Sequence, residues 1–296
     1  MTLKVLLTYG WKLAVCGLAF FVGITLGSMI AIGIGLPAPE LPAGVEAATL
    51  NYYTLLGSLL LALALAQLSQ GLSGGFVSRW LILSMLIWIS HGMNNALEAA
   101  IFTTMSAAAS FTLVMYLPAA LLCSAAVTWL FPPAIPGAGF SAQLRSYFAS
   151  RHSGAWAWRL LAAFLAFPIV YFSFGSLISP LVLDYYRQGI AELTVPGMDR
   201  LVPVLLLRSL LFLLVCLPVL IAWQQSNWRL FVTLGLALFM LVGGVNLLQA
   251  YWLPSMLRVV HSLEILVDEL VYAGALVMLL ARNAPQPFQR HVPQQV

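Results

Sequence analysis

The chain has 296 residues, of which 62% are hydrophobic and only 7% charged, with a formal net charge of +4. A water-soluble domain of this size cannot hide so much apolar surface, and a nucleic-acid module would need far more basic residues. The composition is that of a polytopic membrane protein, and membrane lipids are its first expected partners.

A spanning helix needs about 20 mostly apolar residues. Eight segments meet that length: 11–36, 51–70, 79–103, 110–131, 157–181, 201–223, 228–250 and 256–281. Irregular backbone cannot face acyl chains, so the fold class read from these runs is all-α. The first run is too long for the apolar core of a signal peptide and is read as a retained helix. Cys16, Cys123 and Cys216 all fall within spans, without the spacing of a disulfide framework or a zinc module.

Lys4, Lys12, Arg79, Arg145, Arg151, Arg159, Arg229, Arg282 and Arg290 fall on one side of this threading. By the positive-inside rule that side is cytoplasmic, and both termini lie there. The expected location is the plasma membrane, in a bacterium the inner membrane. Glu40, Glu46, Asp184, Glu192 and Asp199 fall in loops on the opposite face.

The chain also echoes itself. Gly27-Ser28 in the first span returns as Gly175-Ser176 in the fifth, and Ser58-Leu59-Leu60 returns as Ser209-Leu210-Leu211. In the third span Gly92, Asn95, Leu97 and Ala99 match Gly243, Asn246, Leu248 and Ala250 in the seventh, an offset of 151 residues. The expected organisation is two parallel four-helix repeats, residues 1–131 and 157–281. A cytoplasmic connector over 132–156 joins them, and a disordered tail over 282–296 follows. Parallel repeats place their sites at the interface between halves. Within the connector, Phe140 to His152 mixes apolar and basic side chains as an interfacial helix does.

The spans carry a polar constellation. At about 100° per residue, His91, Asn94, Asn95 and Glu98 share one face of the third span. Arg258, His261, Glu264, Asp268 and Tyr272 share an arc of the eighth. Arg208 lies in the sixth span, and Asn246 and Gln249 lie in the seventh. A charge at the bilayer centre costs at least roughly 2.5–3.5 kcal/mol, so such groups must converge on one another, on water or on a ligand. The expected substrate- or ion-binding set is His91, Asn94, Asn95, Glu98, Arg208, Asn246, Arg258, His261, Glu264 and Asp268, gathered in one outward-facing cavity.

Three roles fit this set. The first is a carrier that binds and moves a small polar or charged solute or cation, with Glu98, Glu264 and Asp268 as proton or cation sites. The second is an enzyme acting on a lipid or lipid-linked substrate, with His91 and His261 as acid and base. The third is an accessory subunit that docks another membrane protein. No metal is expected, because His91-x-x-x-x-x-x-Glu98 and His261-x-x-Glu264 do not follow the Glu-x-x-His order of di-iron bundles. Ser90 adjoins His91 and Ser262 adjoins His261, but helix neighbours diverge by about 100° and make no dyad. No catalytic residue and no cofactor is assigned. His91-x-x-x-Asn95 is similar to the third motif of the CAAX-protease-like glutamic intramembrane proteases. Their Glu-Glu-x-x-x-Arg motif has no counterpart, since Asp268-Glu269 is followed by Ala273 where Arg is needed.

Overall fold

The computed structural model describes residues 3–39, 42, 44–103, 108–135 and 137–282. Glu40, Pro136 and the tail from residue 283 onward, expected to be disordered, lie outside the described residues. Nine principal helices follow one another: α1 Leu3–Gly33, α2 Ala47–Gly71, α3 Phe76–Phe102, α4 Ala109–Leu130, α5 Phe140–Ala149, α6 Ser153–Arg187, α7 Met198–Ala222, α8 Asn227–Gln249 and α9 Ser255–Leu280. Among the described residues the extended pairing is limited to two isolated bridges, Leu72 with Trp223 and Thr103 with Leu193.

Seven of these helices, α1 to α4 and α6 to α8, are long and apolar enough to cross a membrane. Their outward faces carry side chains that water would not tolerate in such numbers. On α6 alone Leu161, Leu165, Ile169, Leu177 and Leu181 are exposed. The protein is therefore a multi-pass membrane-type helical bundle. The ninth helix, α9, is 26 residues long but holds Arg258, Glu264, Asp268 and Glu269, and it is not among the seven.

Several helix ends differ from those expected. The first helix starts at Leu3 rather than near residue 11, because Lys4 and Lys12 sit on long stems that let their ammonium groups leave an apolar helix. The fifth span starts at Ser153, inside the expected connector, and runs on to Arg187, where Tyr185 and Tyr186 suit an interface. The connector itself contains α5, which buries Gln143 and Tyr147 on the bundle and leaves Leu144 and Phe148 exposed.

Helix pairing follows the same scheme in both parts of the chain. In the first, α1 packs on α2 and α4, and α3 packs on α4. In the second, α6 packs on α7 and α9, and α8 packs on α9. Between them α2 meets α8 and α3 meets α7. Small residues allow the close approaches: a Cβ on Gly23 or Gly27 of α1 would overlap the α4 backbone at Ala119 and Met115.

Two features lie at matching positions. The helices α2 and α7 are each 25 residues long, and their ends meet in reciprocal bonds: Ser73 N donates to Ala222 O at 2.9 Å and Gln224 N to Gly71 O at 3.0 Å. Both α3 and α8 contain a π-helical turn, at Trp88–Met93 and Met240–Gly244. Such turns insert an extra residue and often mark functional positions.

Candidate functional site

The polar side chains of the interior fall into three groups. The first centres on Arg208 of α7, whose side chain is 3% exposed. Its Nη2 lies 2.7 Å from Oε1 of Glu98 on α3, and Glu98 keeps a third of its side chain exposed. The guanidinium carbon lies 5.3 Å from the Phe167 ring, 5.6 Å from Tyr171 and 5.9 Å from Phe212. Three aromatic faces thus hold the cation by quadrupole attraction while one carboxylate neutralises it. Among the described residues, Arg208 Nε and Nη1 have no hydrogen-bond partner.

The second group lies on α9 against α6. Nδ1 of His261 is 2.7 Å from Oε2 of Glu264, and Nε2 is 3.1 Å from the Tyr186 hydroxyl. Gly175 of α6 faces this pair, and a Cβ on it would meet Oε1 of Glu264 at an ordinary contact distance of 3.6 Å. A small apolar plug of Val182, Leu257 and Val260 packs beside the triad. The segment after α6 closes over the end of α3, with Thr194 N donating to Phe102 O at 2.7 Å.

Electrostatic reach joins these two groups. Tyr171 senses Arg208, Glu98, Glu264 and Asp268 together. Asp268 is coupled to Glu264 and Arg208, and Glu269 is coupled to Arg208, Asp268 and Glu98. Asp268 is 8% exposed, Glu269 2% and Tyr272 not at all. Among the described residues, Asp268 Oδ1, Glu269 Oε2 and the Tyr272 hydroxyl have no hydrogen-bond partner. Two of the four carboxylates are thus paired, Glu98 with Arg208 and Glu264 with His261, while Asp268 and Glu269 are buried within electrostatic reach of Arg208.

The third group lies at the contact of the π turns. The side-chain amides of Asn95 and Asn246 bond reciprocally, Nδ2 to Oδ1, at 3.2 and 2.6 Å. His91 Nδ1 is 2.6 Å from Leu241 O in the opposite π turn, so that nitrogen carries the proton and donates. Its ring packs against Tyr116 at 4.3 Å and Phe20 at 5.8 Å. Ser90 Oγ, His91 Nε2 and both amide atoms of Asn94 are buried without partners. Gln249 donates to Thr54 Oγ1 at 3.1 Å.

Of the ten expected site residues, Glu98 pairs with Arg208 and Glu264 with His261, and Asp268 lies within electrostatic reach of Glu264 and Arg208. Asn95 and Asn246 pair with each other. The hydrogen bonds of His91 and Arg258 go elsewhere, to Leu241 O and, through Arg258 Nε at 3.1 Å, to Leu247 O. The extra residue of the π turn is the physical reason: it rotates His91 away from the face that Glu98 keeps. Sequence reading left Phe167, Tyr171, Tyr186, Phe212 and Glu269 out of the set. The spacings Phe167-x-x-x-Tyr171 and Arg208-x-x-x-Phe212 place each pair on one helix face, and they were the available signal. Among the described residues, no three His, Cys, Asp or Glu side chains come together as metal ligands. Comparison with protein-family models, with curated proteins and with solved structures returns no match.

Proposed function

We propose that this chain is an eight-helix membrane carrier, built as two parallel four-helix repeats, that takes up a small cationic solute and exchanges it for protons. In this reading α9 is the eighth span and residues 132–156 form the cytoplasmic connector. Both termini are cytoplasmic, and the membrane is a plasma membrane of the bacterial inner-membrane type. The cluster then opens toward the outer face. The repeat is supported by the matched helix pairing, by the paired π turns and by the reciprocal Asn95–Asn246 and Gly71–Gln224 bonds.

One observation carries the function: Asp268 and Glu269 are buried within reach of a guanidinium already paired with Glu98, while Glu264 is paired with His261. A low-dielectric interior does not leave that deficit open, so either protons or a bound cation must supply the missing positive charge. A site that exchanges one for the other is a proton-coupled cation carrier. The enzymatic alternative is less well supported, since both ring nitrogens of His261 are engaged by Glu264 and Tyr186 and neither by a Ser or Cys nucleophile.

The test uses proteoliposomes holding a lumenal pH dye. They are challenged in turn with sodium, potassium, ammonium, choline, neutral amino acids and small carboxylates. An inward gradient of a cationic member should drive protons out and alkalinise the lumen, and Glu264→Gln or Asp268→Asn should abolish the response while the protein still folds. A response confined to anions, or none beyond protein-free vesicles, overturns the reading.

A further inference from the structure

We infer that the protein holds an acidic phospholipid in a cleft at the end of the bundle opposite the carboxylate cluster. This goes beyond the carrier reading and does not depend on it. A cavity of about 450 Å³ lies between the start of α1, the ends of α2 and α4 and the Pro132 turn. That volume falls in the range of small-molecule sites, and so does the lining, which is mostly apolar with a few polar groups. Val5, Leu130, Phe131 and Pro132 supply the apolar wall, and Lys4 and Lys12 supply the charge. Among the described residues, no acidic side chain lines the cleft.

The two ammonium groups have no carboxylate to meet. Lys12 Nζ donates to Leu130 O at 3.0 Å and lies 5.8 Å from the Phe131 ring centre, so it is held over the cleft by neutral partners. Among the described residues neither Lys4 nor Lys12 forms an ion pair. The sequence has no Asp or Glu before Glu40. An anion therefore completes the site.

The anion is argued to be a lipid by what surrounds the charge. Leu6, Leu7 and Trp11 on the same turns of α1 are exposed apolar side chains, which places the cleft beside the acyl region. A phosphodiester headgroup would lie between the lysines while its glycerol and first methylenes cover Phe131 and Leu130. Free phosphate would leave that apolar wall uncovered.

Native mass spectrometry of the protein in a neutral detergent tests this. Phosphatidylglycerol, phosphatidylcholine and inorganic phosphate are added separately. Phosphatidylglycerol should persist as a one-to-one adduct and phosphatidylcholine should not. The Lys4→Gln/Lys12→Gln double variant should weaken the adduct by roughly tenfold or more, as expected for two charges near an anionic headgroup. Arg145→Gln, on the exposed side of α5, should leave it unchanged. If the double variant does not fold, Lys4→Gln alone carries the test, since Lys4 is exposed. Equal retention of phosphatidylcholine, or an undiminished adduct in the lysine variants, overturns the proposal. Inorganic phosphate that binds with the same lysine dependence and excludes phosphatidylglycerol overturns the lipid assignment.

Discussion

The two ends of the bundle treat buried charge in opposite ways. Where α2, α4 and α9 finish, the charges are cations and their partners are backbone carbonyls. Arg79 Nη2 donates to Phe131 O and to Ser69 Oγ, both at 2.7 Å. Arg159 donates to Leu279 O at 2.5 Å and Arg151 to Ala281 O at 2.8 Å. The last carbonyls of a helix have no partner within it and carry partial negative charge, so the fold itself supplies these acceptors. At the other end the charges are mainly carboxylates. Glu98 pairs with Arg208 and Glu264 with His261, while among the described residues Asp268 Oδ1 and Glu269 Oε2 have no hydrogen-bond partner. The arginine contacts are made within the fold, although Lys4 and Lys12 line an acid-free cleft at the same end, while among the described residues Asp268 and Glu269 at the other end form no ion pair. Burial alone does not separate glue from site, because Arg79 and Arg208 are equally hidden, at 3% exposure each. The balance of partners does.

Substitutions at the two arginines test that difference. Arg208→Ala should have the largest effect. It leaves Glu98 without its partner and removes the guanidinium within reach of Asp268 and Glu269, and a buried pair broken on one side costs about 3–5 kcal/mol. The thermal midpoint in detergent should fall accordingly, and Asp268→Asn in the same background should recover part of the loss. Arg208→Lys keeps the charge but not the planar stacking on Phe167, Tyr171 and Phe212, so its penalty should be smaller, about 0.5–2 kcal/mol. If Asp268→Asn worsens the Arg208→Ala variant, charge balance is not what Arg208 provides. Arg79→Ala should cost roughly 1–3 kcal/mol, because it removes the donor to Ser69 Oγ and one of the two donors to Phe131 O, the other being Ser69 Oγ itself. Cation-driven flux per folded molecule should not change. A change in flux would erase the distinction between the two ends.

These contrasts also explain what the sequence discloses. Long apolar runs specify membrane helices directly, so all eight expected segments fall on helices, seven of them apolar enough to span by length and composition. Helix ends were less legible, since snorkelling lysines and interfacial tyrosines extend α1 and α6 past their apolar cores. Ionisable residues stand out inside apolar runs, so Glu98, Arg208, Glu264 and Asp268 could be named from the sequence. Their partners could not. Periodicity gives the face a residue occupies on its own helix, not the helix that face meets. Nor did it reveal the π turns, one of which sends His91 to the Leu241 carbonyl. The aromatic faces around Arg208 were hidden for another reason: Phe167 and Phe212 look like any lipid-facing phenylalanine until a guanidinium is found beside them.

The smallest expected effect lies in the connector, at the carbonyl-matched end. Tyr147 of α5 is fully buried, and its hydroxyl donates to Leu280 O at 2.7 Å. Burial pushes this phenol up to about 12, although Arg151 and Arg282 pull it back. Because the folded value lies above the ordinary one of about 10, the neutral donor is favoured by folding. That contribution is therefore complete below pH about 10 and is lost as pH rises from there toward 12. Tyr147→Phe should cost about 1 kcal/mol at neutral pH, the net worth of one hydrogen bond. It should also flatten the part of the stability decline above pH 10 that belongs to this group. Proton flux should not respond, since α5 sits at the end remote from the carboxylates. Thermal unfolding of both proteins across pH 7 to 11 measures the first two effects, and the proteoliposome assay measures the third. A flux defect in Tyr147→Phe would mean that the connector couples to the cluster through α9, whose last carbonyls it grips.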